Sequence, residues 1–120
     1  MPTLALPSEH LQTKRELSAK LFRGFADPSR LALLDALREG ERCVSELVVG
    51  TGLTQSNASG HLTCLKDCGL VVSRQDGRFV YYRLADPEVE AVLAAADVVL
   101  SRHADRIVAC INYTVPGEDR

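Results

Sequence analysis

The segment from Ser45 to Lys66 constrains the fold more than any other. A short helical pattern, Ser45 to Val49, is interrupted by Thr51-Gly52-Leu53-Thr54, and a longer helical pattern follows with Thr54 placed as its N-cap. A short helix, a glycine turn and a longer second helix make a helix-turn-helix. Two β-rich runs come next, Leu70 to Arg74 and Phe79 to Leu84. They flank Gln75-Asp76-Gly77-Arg78, and Asp-Gly between such runs marks a tight hairpin. A hairpin in that place is a wing.

The flanking segments read as helices. Leu17, Leu21, Phe22 and Phe25 recur at helical spacing among charged residues, with Leu11 earlier, which predicts a helix over about 9–25. Asp27 as N-cap and Pro28 at the first helical position open a second helix, which carries Leu31, Leu34 and Leu37 and is closed by Gly40. Asp86 and Pro87 repeat that signature. They open a last helix that keeps Val92, Val99, Leu100, Ile107 and Val108 apolar to about Cys110, and Val115 to Arg120 reads as a loose tail. The expected architecture is one mainly α domain over 1–120 with a small β-hairpin, a winged helix-turn-helix of order α-α-α-α-β-β-α. The helix-turn-helix falls at about 44–68 and the wing at about 70–84. The long apolar last helix calls for a partner, so dimerisation is expected through the terminal helices, about 9–25 and 87–110.

Charge and composition exclude several classes. A formal net charge of −2 is wrong for a protein that coats nucleic acid indiscriminately. Between Thr54 and Leu84, however, Lys66, Arg74, Arg78 and Arg83 outnumber Asp67 and Asp76, so a basic face on an acidic body is expected. No apolar run reaches the ~18 residues of a bilayer span, and the opening MPTLALPSEH lacks the basic and apolar regions of a signal peptide; a cytoplasmic protein without membrane contact is expected. In that compartment four cysteines stay reduced, which favours metal binding or redox sensing over disulfides. No nucleophile, base and orienting group come together in the sequence, so neither an enzyme nor an organic cofactor is expected.

On a helical wheel the second helix of the motif divides into three faces. Ala58, Leu62 and Leu65 fall within about 60° and form the core stripe. Ser56, Ser59, Thr63 and Lys66 span roughly 80° and make a small polar face that a DNA groove can admit. Gln55 suits bidentate contact with adenine, Lys66 suits phosphate, and on the wing Arg74, Arg78 and Arg83 suit phosphate, Arg78 best because it adjoins the turn. The third face holds Asn57, His61, Cys64 and Cys68. Cys64 and Cys68, at i and i+4, bring two soft thiolate donors to one side of the helix, where they can share a thiophilic ion. A third ligand must come from elsewhere, from Cys110 on the last helix or from Cys43. A lone buried cysteine more often behaves as a small hydrophobe, and His61 is more simply an ordinary hydrogen-bonding histidine.

These residues resemble the ArsR/SmtB family of metal-sensing repressors: Ala26-Asp27-Pro28-Ser29-Arg30, the run from Leu53 to Leu62, and Asp76-Gly77-Arg78 with Tyr81-Tyr82. The likeness covers roughly residues 15–110. Within the family, Cys64-Leu65-Lys66-Asp67-Cys68-Gly69-Leu70 is similar to the recognition-helix cysteine pair of the CmtR-type cadmium and lead sensors. The resemblance implies a homodimer in which Cys64 and Cys68 of one protomer join Cys110 of its partner around Cd(II) or Pb(II), with Zn(II), Hg(II) or As(III) as further inducers. It implies a metal-free dimer bound to operator DNA and released by the metal. A thiol redox, arsenite- or mercury-sensing repressor of the same fold is the alternative, and after it a zinc sensor. Cys43 stands where many relatives carry the first cysteine of a Cys-Val-Cys motif, but Ser45 replaces the second, and the paired Asp and His of the family's zinc sensors is not met by Asp97 and Val99.

Overall fold

Both Asp-Pro pairs open helices, because each aspartate can cap amides that a helix leaves unbonded. The computed structural model describes residues 11–110. Helix α1 (Leu11–Phe25) and α2 (Pro28–Leu37) are followed by strand β1 (Arg42–Cys43), helices α3 (Val44–Thr51) and α4 (Gln55–Asp67), strands β2 (Val71–Asp76) and β3 (Phe79–Leu84), and helix α5 (Pro87–Ala109). Asp27 Oδ1 accepts from the Ser29 and Arg30 amides at 2.8 and 3.0 Å, and Asp86 accepts from the Val89 amide at 3.2 Å. Proline at the first helical position costs nothing, since its missing N–H has no acceptor inside the helix. Partial burial pushes the Asp27 carboxyl up, but the Arg30 amide, the charges of Arg30 and His61 and the Ser29 amide outweigh it, and the group sits below the ordinary aspartate range.

One apolar cluster holds the elements together. Leu33, Leu34 and Leu37 of α2 meet Leu47 of α3, the α4 stripe, Leu70 and Val71 at the start of the wing, and Val89 and Leu93 of α5. The stripe is where the wheel places it: Ala58 and Leu62 are 0% exposed and Leu65 is 1%. Among the described residues of α1, only Phe25 enters the core. Leu17, Leu21 and Phe22 remain exposed, Phe22 at 60%, and so do Val98, Val99, Leu100 and Val108 of α5. The helical periodicity of both outer helices therefore serves a surface outside this chain's own core. No helix among the described residues is long and apolar enough to cross a membrane.

The sheet differs from the expected two-stranded hairpin. It has three antiparallel strands in the order β1-β3-β2, with Arg42 opposite Tyr82 and Cys43 opposite Tyr81. Two residues carry no periodicity, so β1 leaves no pattern in the sequence. The wing also runs further than expected: Asp76 pairs with Phe79, leaving Gly77 and Arg78 as the two-residue loop. Gly77 takes φ 62° while Arg78 keeps a negative φ, the arrangement in which glycine is needed only at the first loop position.

A charged clasp fixes α5 to α2. The Arg38 guanidinium donates to both carboxylate oxygens of Glu90, at 2.8 and 3.0 Å, and to Asp97 at 2.8 Å. Leu62→Ala should cost about 3 kcal/mol in chemical denaturation, the usual range for a sealed leucine. Asp27→Ala should cost about 1 kcal/mol at neutral pH. Because the native carboxyl is held low, that difference should be fully present above the unfolded aspartate value of about 3.9 and vanish as the pH falls through the native one. Denaturation curves of both proteins across acid pH measure it.

Candidate nucleic-acid interface and thiol pocket

The turn between α3 and α4 is built from side-chain and backbone capping. Thr51 Oγ1 donates to the Leu47 carbonyl at 2.6 Å, Gly52 adopts a left-handed φ of 77°, and its amide returns to the Val48 carbonyl. Thr54 Oγ1 then accepts from the Asn57 amide at 3.1 Å and starts α4. With the Leu62 stripe buried, Gln55, Ser56, Ser59, Thr63 and Lys66 all lie exposed. Thr63 Oγ1 donates back to the Ser59 carbonyl at 3.0 Å, which turns its hydroxyl proton toward the helix and leaves lone pairs outward.

Gln55 and Ser59 of α4 and Arg78 of the wing line one open cleft of about 410 Å³, together with Cys43, Ser45 and Phe79. The helix face and the wing tip are therefore brought to one concavity. Ser56, Thr63 and Lys66 lie on the exposed side of α4 but outside that lining. Arg74 is placed differently. Its guanidinium donates to both oxygens of Glu41, at 2.8 and 2.6 Å, and stacks 4.7 Å from the centroid of Tyr81. The Arg74 hydrogen bond holds the Glu41 carboxyl below the usual glutamate range, against a smaller opposing effect of desolvation. Arg78, by contrast, takes part in no ion pair among the described residues and rests 5.9 Å over the Phe79 ring. Phe79 is 48% exposed beside a basic turn and belongs to this surface. Its signal in the sequence was an aromatic directly after Gly77-Arg78.

The other exposed face of α4 meets α1. Cys64 and Cys68, both exposed free thiols, line a pocket of about 150 Å³ with Leu65, Lys20, Arg23 and Gly24 of α1 and Arg30 of α2. Cys68 is the C-cap of α4, and its amide donates to the Cys64 carbonyl at 3.0 Å, so the two residues belong to one closing turn. Cys110 is exposed at the end of α5 and does not join them: among the described residues no group of three His, Cys, Asp or Glu side chains converges. Cys43 is buried on the cleft side, its Sγ 3.1 Å from Ser45 Oγ. The basic lining of the thiol pocket was overlooked in the sequence, although Lys20 and Arg23 stand one turn apart on α1 and Arg30 follows the Asp-Pro cap.

Comparison with known proteins agrees with this geometry. The family model for "bacterial regulatory protein, arsR family" matches residues 27–73, from the α2 cap into β2. A probable mercury resistance operon repressor of Streptomyces lividans is 36% identical over 120 residues, covering 100% of this chain and 93% of that protein. The transcriptional regulator CmtR of Mycobacterium tuberculosis is 44% identical over 89 residues, 73% of this chain and 75% of its own length. A homodimeric winged helix-turn-helix DNA-binding domain from Mycobacterium bovis, described as a possible ArsR-family regulator, superposes with a TM-score of 0.75 at 33% identity. It covers 86% of this chain and 95% of that one. With a helix-turn-helix, a wing and a likeness to named regulators that runs along the whole chain, this protein belongs to the arsR family of bacterial regulatory proteins.

Proposed function

We propose that this protein is a cytoplasmic, metal-responsive transcriptional repressor. Its homodimer binds operator DNA through α4 and the wing, and it lets go when a soft ion, Cd(II) or Pb(II), is held by Cys64 and Cys68 with Cys110 of the partner subunit. The observation that carries this reading is the division of α4: one exposed face lines the cleft with Arg78, and the other presents two thiols to one pocket. Two exposed thiols on one helical turn match a soft ion in donor type. The exposed apolar surfaces of α1 and α5 supply a dimer face, in keeping with the homodimeric relative. A dimer places two recognition helices for two half-sites.

On the DNA side, Gln55, Ser56, Ser59 and Thr63 are suited to base edges, and Lys66 and Arg78 to phosphate. Arg74 reaches DNA only by giving up Glu41. Since the thiols sit on the same rigid helix as the groove-facing residues, fixing one face fixes the other. Coupling of this kind runs to about 1–3 kcal/mol and is reciprocal. A second reading has its own support: the Streptomyces lividans relative is named for mercury, and Hg(II) is satisfied by two thiolates.

Gel shifts on the protein's own promoter should show release by Cd(II) or Pb(II) in the unaltered protein, and retained DNA binding without release in Cys64→Ser, Cys68→Ser and Cys110→Ser. Release that survives all three changes rejects the thiolate switch, whereas release by Hg(II) that survives only Cys110→Ser favours the mercury reading. Arg78→Ala should weaken operator binding and lower the slope of log K against log salt by about 1 for each phosphate the guanidinium neutralises. An unchanged slope removes Arg78 from the interface.

A further inference from the structure

We infer that Lys20, Arg23 and Arg30 act as a cationic collar that selects ions by the charge of the thiolate complex they form, favouring divalent ions held by three thiolates over arsenite. The inference rests on the thiolate-site reading above and adds to it the residues that set specificity. Lys20, Arg23 and Arg30 all line the pocket of Cys64 and Cys68, largely through their carbon stems, and no acidic residue does. Arg30 is anchored: its Nε donates to the Gly24 carbonyl at 2.9 Å and its Nη2 to the Arg23 carbonyl at 2.9 Å, so one positive charge is fixed at the end of α1. Lys20 and Arg23 stand one helical turn apart on that same helix. Two carboxylates lie nearby. Asp27 is occupied by amides within Coulombic reach of Arg30, and Asp67 borders the adjoining hollow with Lys20 and Cys68. Neither carboxylate lines the pocket itself.

The charge balance of each binding reaction decides what such a collar favours. A divalent ion that replaces three thiol protons gives a complex of charge −1 and three protons released. Arsenous acid and three thiols give a neutral tris-thiolate and three waters, and Hg(II) with two thiols gives a neutral bis-thiolate and two protons. Only the first product gains attraction from nearby cations, and a pocket open to solvent makes that gain modest and dependent on salt.

The test is Lys20→Gln/Arg23→Gln, with Arg30 kept because it ties α1 to α2. Cd(II) and arsenite affinities are measured by chelator or dithiol competition, following the near-ultraviolet absorption of metal–thiolate bonds. Cd(II) binding should weaken about five- to tenfold and arsenite binding by less than about twofold. The preference of the unaltered protein should shrink as salt rises. Lys20→Arg/Arg23→Lys should restore it. Equal weakening for both ions, or an unchanged Cd(II) affinity, overturns the collar. Cys64→Ser separates the two readings: if that change leaves Cd(II) affinity intact, the thiolate site falls and the collar with it, while thiol-dependent Cd(II) binding that ignores the collar removes the collar alone.

Discussion

Ala58, Leu62 and Leu65 are sealed into the same core as Leu33, Leu34 and Leu37 of α2, and this burial fixes the rotation of α4 about its own axis. At about 100° per residue, a helix with one face committed has no freedom left in the other two. The exposed hydroxyls and the pocket-facing thiols are therefore not independent features. A tilt or roll that improves one alters the other, and close packing resists intermediate positions. Each leucine in the stripe thus helps to set the aim of Gln55 and Ser59 as well as stability.

Much of this was legible from residue chemistry. Asp-Pro pairs, Thr54, Gly52 and Gly77 each perform the local task their type suggests, so helix starts and turns were readable to within a residue or two. The α4 wheel separated the buried stripe from the exposed small-polar and thiol faces because an isolated helix obeys its own geometry. What escaped were features that depend on residues far apart in the chain. Strand β1 exists only because Arg42 and Cys43 find Tyr82 and Tyr81 of β3. Arg74 has the chemistry of a phosphate ligand, but Glu41, thirty-three residues away, holds it. The collar around the thiols needs α1, α2 and α4 at once.

The electrostatics of the wing follow from that third strand. Glu41 directly precedes β1, so the Arg74–Glu41 pair and the stacked Tyr81 brace the middle of the hairpin against the body. An exposed pair of this type adds little stability by itself. Its effect is positional, since bidentate geometry restricts the direction of the strand. The tip, with Gly77, Arg78 and Phe79, carries no such brace. The wing is thus braced as far as Arg74 and Tyr81 and more adaptable beyond them.

The Arg38 clasp has a mechanical consequence. Glu90 and Asp97 tie the first half of α5 to the end of α2, and beyond Asp97 the helix runs on to Cys110 with its apolar side uncovered. Thirteen residues at 1.5 Å each make that free arm about 20 Å long. With its fulcrum at the clasp, a sideways pull of about 1 Å at the tip turns the arm by about 3°. Val89 and Leu93 seat the near half of the helix in the core beside the clasp, so rotation of the arm passes to α2 through close packing, and the guanidinium adds direction to it.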